Sequence, residues 1–202
     1  MVGYANQPCV ILALPNGGVP LAIEVAKTLK AELDIVVCRK LALPMNPEGG
    51  LGAVADDGTA LINKDVASRD GISAEQIEFE VAQIKANIKE RTQKYRGEGI
   101  APRLTGKTAI IVDDGLASGI TMAVAVESVK HRYPRQIVAA VPLASTTGFK
   151  RASTVVNRVV ACAVSSQSRF YLADFYRHWQ DLSDAEIIRT LELWRKRQEI
   201  FK

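Results

Sequence analysis

The stretch that decides the fold reads Ile110-Ile-Val-Asp-Asp-Gly-Leu-Ala-Ser-Gly-Ile-Thr121. It opens at the end of an apolar, β-branched run, and a run without polar alternation is typical of a strand covered on both faces. Two adjacent carboxylates, Asp113 and Asp114, end that strand, and neighbouring like charges are unfavourable unless a cation or hydroxyl groups occupy them. An aspartate N-cap in a glycine-rich turn is the alternative interpretation, and it accounts for only one of the two carboxylates.

Small residues follow the carboxylates and open a helix. Ala117–Thr121 offers backbone N–H groups, two hydroxyls and a helix N-terminus, which are the parts of a phosphate cradle. Carboxylates beside such a cradle indicate a ligand that combines a diol, Mg²⁺ and phosphate. Nearer the start of the chain, Gly17-Gly18 follows another apolar run. This glycine pair is typical either of an anion-binding turn or of a tight strand-to-helix connection.

Strands and helices alternate outward from these loops. Five apolar runs predict strands: Cys9–Leu14, Leu33–Cys38, Thr108–Val112, Gln136–Val141 and Val159–Val164. Helical patterns between them cover Val19–Lys30, Ile120–Arg132 and Ser145–Ser153. This alternation predicts an α/β fold, a doubly wound, mostly parallel sheet of about five strands.

Two segments interrupt the alternation. Leu51–Ala55 and Thr59–Ile62 flank Asp56-Asp57-Gly58 and predict an antiparallel hairpin beside the main sheet. Capping boxes predict the starts of two further helices, one at Ser73 with Gln76 and one at Ser183 with Glu186.

Composition narrows the class of protein. Of 202 residues, 48% are apolar and 24% are charged, which excludes a disordered chain and fits a single domain over residues 1–202. No apolar run approaches the roughly 18 residues of a membrane span, and the first residues lack the parts of a secretory signal. Three widely spaced cysteines exclude a disulfide framework, so we expect reduced thiols and a cytoplasmic location.

Val112–Thr121 closely resembles the signature of type I phosphoribosyltransferases: an apolar strand, two acidic residues, a short variable stretch, then Thr or Ser, Gly, any residue and Thr. Two further segments lie in the family's order. The Gly17-Gly18 turn resembles its pyrophosphate loop, and Arg39-Lys40 with Leu41–Gly50 behind it resembles its mobile catalytic loop. From Cys9 onward, the chain is similar to a bacterial group of phosphoribosyltransferase-domain proteins.

The resemblance implies transfer of ribose 5-phosphate from phosphoribosyl pyrophosphate to a nucleobase-like acceptor, with Mg²⁺ as cofactor and release of pyrophosphate. It implies that Asp113 and Asp114 hold the ribose hydroxyls, directly or through Mg²⁺-bound water. Arg39 and Lys40 would neutralise the leaving pyrophosphate, or else mark a solvated strand end. The implied substrate-binding residues are Pro15, Asn16, Gly17 and Gly18 in the first turn and Gly115, Leu116, Ala117, Ser118, Gly119, Ile120 and Thr121 in the second loop.

Three features depart from the family pattern. Members that use 6-oxopurines carry an aspartate at the position of Ala117, so hypoxanthine and guanine are expected to be poor acceptors. Asn16 stands where relatives in this bacterial group often have a basic residue. Few residues precede the first strand, so the cover over the site is expected within residues 165–202. Its aromatic stretch Phe170–Trp179 would either stack on a base or form a hydrophobic plug under the last helix.

A regulatory protein that senses phosphoribosyl pyrophosphate and binds nucleic acid is the alternative function. The net charge of +4 suits a phosphorylated metabolite as well as it suits nucleic acid. The basic candidates for such a surface are Arg189, Arg195, Lys196, Arg197, Arg132 and Arg135. No nucleic-acid recognition motif accompanies them, so we expect a small-molecule acceptor and neither a nucleic acid nor a membrane partner. The resemblance is compatible with a homodimer.

Overall fold

The computed structural model describes residues 2–43, 46–97, 99–167 and 169–200. The strands in this part of the chain are β1 (Cys9–Ala13), β2 (Glu32–Ile35), β3 (Cys38–Leu43), β4 (Asn46–Ala55), β5 (Ala60–Ile62), β6 (Thr108–Val112), β7 (Gln136–Ser145) and β8 (Arg158–Ser165). Five of them form a parallel sheet in the order β2-β1-β6-β7-β8, and β3-β4-β5 form a small antiparallel sheet. The predicted doubly wound sheet with an antiparallel excursion is therefore confirmed.

The helices are α1 (Gly18–Leu29), α2 (Lys64–Arg69), α3 (Ala74–Arg96), α4 (Ile120–Lys130), α5 (Thr146–Val155) and α6 (Asp184–Ile200). Both predicted capping boxes are present. Ser73 Oγ accepts a hydrogen bond from Gln76 N at 3.2 Å, and Ser183 Oγ accepts one from Glu186 N at 3.3 Å. Helix α2 was not predicted, because its six residues are too few to show a helical period.

The central strands bury both faces, as their unbroken apolar runs indicate. Ile11 of β1 packs toward α1, α3 and α6, whereas Val10 and Leu12 pack toward α4 and α5. Each such side chain, when fully buried, contributes about 1.5–3 kcal/mol. After β1 the chain continues to β2 on one side of the sheet, and after β6 it continues to β7 on the opposite side. The carboxyl ends of β1 and β6 therefore frame the switch point where α/β domains bind ligands.

One predicted strand is wrong. The apolar run Leu33–Cys38 is divided, because β2 ends at Ile35 and Cys38 begins β3, where it pairs with Ala55 of β4. Val36 and Val37, between the two strands, remain buried, so no change in polarity marks the division. Arg39-Lys40 consequently lies within a strand of the small sheet instead of in a loop after β2.

The predicted hairpin around Asp56-Asp57-Gly58 is confirmed as β4–β5, with Gly58 at a φ of +90° that favours glycine. The proposed mobile loop, Leu41–Gly50, falls partly on residues 44–45, which lie outside the described residues. The backbone on either side belongs to β3 and β4, whose register shifts near Ala42. Mobility of this loop therefore stays a prediction. Among the described helices, none is long and apolar enough to cross a membrane.

Candidate active site

The turn after β1 and the loop after β6 lie against each other at the switch point. Leu14 N donates a hydrogen bond to Val112 O at 2.9 Å, which joins the two segments at their base. A Cβ atom on Gly17 would lie 1.8 Å from Asp114 Oδ2, and one on Gly18 would lie 2.6 Å from Val112 O. Only glycine therefore allows the turn to approach the acidic pair so closely. The preceding peptide bond, Pro15–Asn16, is cis.

A cleft of about 180 Å³ opens over the β6 loop. Its lining residues are Lys40, Asp113, Asp114, Gly115, Leu116, Ala117, Ser118, Gly119, Thr121, Met122 and Leu172. The structure thus gathers the predicted residues of the second loop in one cleft, with the exception of Ile120, whose side chain packs against the small sheet. The β1 turn borders the acidic pair from the other side.

The acidic pair is held in an environment that favours protonation. Burial raises the pKa of Asp113 well above its usual range, and the negative charge of Asp114 raises it further, while Lys40 opposes the shift. Burial also raises the pKa of Asp114, against hydrogen bonds with Asp113 and with backbone N–H groups. Asp114 N donates to Asp113 Oδ1 at 2.9 Å. A cation or hydroxyl donors bound here would favour the ionised pair.

Helix α5 holds the backbone of the β6 loop from behind. Ser145 N donates to Leu116 O at 2.8 Å, Ser145 Oγ donates to Ala117 O at 2.5 Å, and Arg151 donates to Ser118 O. A trans peptide is planar, with its N–H opposite its C=O. Carbonyl groups that point toward α5 therefore direct the next N–H groups away from α5.

Gly119 completes this cradle at the start of α4. Its φ of +73° lies in the left-handed region, and a Cβ atom there would lie 2.9 Å from Gly148 O. Helix α4 begins at the next residue, and Thr121 in its first turn lines the cleft. Backbone N–H groups and the positive end of the helix are the features that suit an anion.

The two predicted basic residues of β3 separate. Consecutive side chains on a strand point to opposite faces, and Lys40 lines the cleft whereas Arg39 does not. Arg39 instead donates from Nη1 to Asn87 Oδ1 on α3 at 2.7 Å. The structure therefore brings one cation of the pair to the site, and the expectation that Arg39 also reaches it is not met.

Residues 170–183 form a cover segment that contacts the β6 loop. Leu172 lines the cleft, and Tyr176 Oη donates to Asp114 O at 2.7 Å. The negative charge of Asp181 contributes to the raised pKa of Asp114, so it also lies near the acidic pair. No periodic pattern marks Leu172 or Tyr176, and sequence reasoning located only the aromatic stretch that contains them.

The aromatic residues of the cover segment are not a buried plug. Tyr171, Phe175 and Trp179 are 51%, 41% and 38% exposed. Helix α6 buries a different set of its own residues against α1 and α3. Of the two interpretations of this stretch, a cover at the cleft fits the structure and a plug beneath α6 does not.

The donor set suits Mg²⁺ held largely through water. Asp113 and Asp114 supply carboxylate oxygens, the hard donors that this ion prefers, and Mg²⁺ usually keeps several water ligands. Within the described residues, no group of three or more acidic, His or Cys side chains is arranged so that it could hold a metal ion by itself. The remaining ligands would therefore come from water and from the oxygens of a bound substrate.

A parallel sheet with an acidic pair and a loop of backbone N–H groups at its switch point is typical of α/β domains that bind ligands beyond the carboxyl ends of their strands. Residues 2–173 match the model of the phosphoribosyl transferase domain, so the chain belongs to that family. The family resemblance of the β6 loop is thereby confirmed.

Three relatives show how far the similarity extends. "Putative phosphoribosyl transferase Rv0571c" and "Putative phosphoribosyl transferase MT0597", from two strains of Mycobacterium tuberculosis, are each 34% identical over 188 residues, which is 93% of this chain and 42% of theirs. The chain therefore spans less than half the length of these curated relatives. TT1426 from Thermus thermophilus, a protein of known crystal structure, has 32% sequence identity to this chain. The two structures superpose with a TM-score of 0.75 over 93% of this chain and 88% of TT1426.

Proposed function

We propose that this domain is a phosphoribosyltransferase that moves ribose 5-phosphate from phosphoribosyl pyrophosphate to a nucleobase-like acceptor. The observation that carries the proposal is the placement of an acidic pair between two anion-binding segments. Asp113 and Asp114 lie between the glycine turn after β1 and the N–H cradle after β6. A substrate with a diol flanked by phosphate groups matches this order of partners.

The reaction breaks the bond between the anomeric carbon and a pyrophosphate oxygen, which leaves with the electron pair. An acceptor nitrogen forms the new bond. Positive charge develops on the ribose ring in between, and the carboxylates of Asp113 and Asp114 stabilise it. Mg²⁺, held through water by the same carboxylates, would offset the charge of the pyrophosphate. The N–H groups of the β6 loop and Thr121 bind the 5′-phosphate, and Lys40 faces the pyrophosphate.

The acceptor site lies under the cover segment. Its exposed aromatic side chains offer stacking surfaces for a planar base. The methyl group of Ala117 neither accepts nor donates a proton, and a positioned acid or base typically contributes about 10²–10⁴-fold to the rate. Hypoxanthine and guanine are therefore poor acceptors, whereas a base that is anionic or is deprotonated elsewhere in the pocket is a better one.

The regulatory alternative has less support. Several residues of its candidate basic surface are engaged within the fold: Arg132 pairs with Asp34, Arg195 donates to Tyr95 O, and Arg135 donates to Thr108 Oγ1. We infer that nucleic acid is not the ligand. The free thiols of Cys9, Cys38 and Cys162 support a cytoplasmic location. The family resemblance is also compatible with a homodimer.

Thermal unfolding and product assays test the proposal. Phosphoribosyl pyrophosphate with Mg²⁺ should raise the melting temperature, since a ligand at a hundredfold excess over its Kd stabilises the fold by about 2.7 kcal/mol. Pyrophosphate release should then be measured with adenine, hypoxanthine, guanine, xanthine, uracil and orotate. An unmoved melting temperature would contradict the proposal. Asp174 and His178 of the cover segment are the side chains that could supply an acid or base in place of Ala117. Efficient turnover of guanine, unchanged in Asp174→Asn and His178→Ala, would contradict the role given to Ala117.

A further inference from the structure

The side chain of Asn16 is fully engaged inside the protein. Its Nδ2 donates to Leu182 O at 2.6 Å and to Asp184 Oδ1 at 3.2 Å. Its Oδ1 accepts from Arg91 Nη2 at 3.0 Å and lies 2.9 Å from Tyr95 Oη, whose single proton it shares with Asp184 Oδ1. An amide nitrogen has two N–H donors, and both have partners here. Asn16 therefore has no side-chain donor left for a ligand.

The partners of Asn16 also bind one another. Arg91 and Asp184 form a two-pronged ion pair, with Nε to Oδ2 at 3.1 Å and Nη2 to Oδ1 at 2.6 Å. Tyr95 Oη lies 2.6 Å from Asp184 Oδ1, and its ring is buried. Arg91 and Tyr95 lie one turn apart on α3, and Asp184 begins α6. Two helices from remote parts of the chain thus converge on one residue of the β1 turn.

The backbone of the same turn has little freedom left. Gly18 N donates to Leu14 O and Val19 N donates to Asn16 O, both at 3.1 Å. Gly17, between them, packs against the carboxylate of Asp114. The position of Asn16 therefore fixes how closely Gly17 approaches the acidic pair.

We propose that Arg91, Tyr95 and Asp184 are positioning residues that hold Asn16, and through it the Pro15–Gly18 backbone, in the geometry that binds pyrophosphate. Asn16 itself is an anchor of the turn and makes no side-chain contact with the anion. This inference rests on the proposed function, because it assigns the turn to the pyrophosphate end of the substrate. The ion pair remains charged at ordinary pH, since hydrogen bonds outweigh the partial burial of Asp184 and hold its pKa at about 2.

Two ligands test the β1 turn and the β6 loop separately. Inorganic pyrophosphate with Mg²⁺ should occupy the β1 turn, and ribose 5-phosphate should occupy the β6 loop. Calorimetric titration of Asp184→Asn and of Tyr95→Phe should show pyrophosphate affinity lowered by about tenfold, the size expected for a lost hydrogen bond to a charged group. The affinity for ribose 5-phosphate should stay within about twofold, because the β6 loop is held by α5 instead.

Glu90→Gln is the matched control. It removes an exposed ion pair with Lys94 on the same helix α3, and neither affinity should change. Equal losses of both ligands in Asp184→Asn and Tyr95→Phe would show a general structural role and overturn the inference, as would an unchanged pyrophosphate affinity. Wild-type protein that binds neither probe would overturn the proposed function, and the inference with it. Melting temperatures of all variants confirm that the comparison is made on folded protein.

Discussion

The tripeptide Asp-Asp-Gly occurs twice in this chain, and its two copies have different environments. Asp56-Asp57-Gly58 follows β4, and Asp113-Asp114-Gly115 follows β6. Both copies come directly after a strand with buried residues. The first copy turns an antiparallel hairpin, whereas the second ends a central strand of the parallel sheet beside the β1 turn.

The protein supplies the partners of the hairpin copy. Asp57 accepts hydrogen bonds from Thr59 N and Thr59 Oγ1 at 2.9 Å and lies 2.9 Å from His131 Nδ1. These bonds outweigh its partial burial and lower its pKa. Burial raises the pKa of Asp56 to about 6, although Arg96, 4.0 Å away, opposes the shift.

At the β6 copy, the pKa of both carboxyls is raised, and the nearby cation is the exposed Lys40 at the cleft. The two carboxylates repel each other in a site that opens to a ligand. The fold supplies several donors to Asp57 of the hairpin copy, whereas the β6 copy lines an open cleft.

The largest difference is expected in catalysis. Asp114→Asn should lower the rate of pyrophosphate release by about 10²-fold or more, because a preorganised electrostatic partner of the transition state is lost. The matched variant Asp57→Asn should retain the rate within about twofold. The assay is steady-state turnover with phosphoribosyl pyrophosphate, Mg²⁺ and the best acceptor. Similar rates in the two variants would remove the distinction between the copies.

For the free energy of unfolding, in contrast to catalysis, the substitution in the hairpin copy should have the larger effect. Asp57→Ala should lower the free energy of unfolding by about 1–2 kcal/mol, since it leaves the turn without its side-chain acceptor. Asp113→Asn should leave that free energy unchanged or raise it at pH 7, because it relieves a buried like-charge pair. Urea denaturation of both variants measures the effect. A loss of several kcal/mol in Asp113→Asn would identify that carboxylate as a structural cap.

The pH dependence of stability isolates Asp56. Its pKa of about 6 in the folded protein exceeds the ordinary value of 3.8, so the folded state holds a proton that the unfolded state has lost between these values. This group therefore lowers stability as pH rises from about 4 to about 6. Asp56→Asn should remove that slope and exceed the wild type by about 1–3 kcal/mol at pH 7. Parallel curves for the two proteins would contradict the burial argument.

The smallest expected effect is a change in hydrogen exchange, compared between the β3–β4 connection and the β4–β5 turn of the small sheet. Leu41–Gly50 should become more protected from hydrogen exchange when phosphoribosyl pyrophosphate and Mg²⁺ bind, because its glycines and the register shift near Ala42 weaken the pairing of β3 with β4 in the free protein. The Asp56 turn, which is held by its own side chains, should exchange equally in both states. Strong, equal protection of Leu41–Gly50 with and without ligand would exclude a closing loop.

The sequence predicted the β6 strand, Thr108–Val112, to the residue, since an apolar run that ends in charged residues marks both limits of a buried strand. The capping boxes at Ser73 and Ser183 were equally clear, because their hydrogen bonds join residues three positions apart. Such features depend on neighbours along the chain. The small residues of the β6 loop could be predicted for the same reason, since they follow one another in the chain.

The misplaced predictions share a different cause. Cys38 was assigned to the main sheet and Arg39 to the cleft, yet each assignment depends on which strand pairs with β3 and in what register. A one-residue change of register moves every side chain to the opposite face. Arg151 reaches the β6 loop from a helix with no pattern that indicates a site, and Tyr176 reaches it from the aromatic stretch, whose individual contacts the sequence did not assign.

Local sequence predicted much of the chemistry of this protein: where strands end, where glycine is required, and where N–H groups and carboxylates stand together. It also distinguished the two copies of Asp-Asp-Gly, since their flanking residues predict a hairpin turn and a strand-to-helix loop. The tertiary structure decided which distant partners each copy receives, because His131 and Lys40 lie far along the chain from the carboxylates that they face. It also decided that Asn16 is an anchor of its turn. The bonds that hold Asn16 join residues 75 to 168 positions apart, and packing alone brings such residues together.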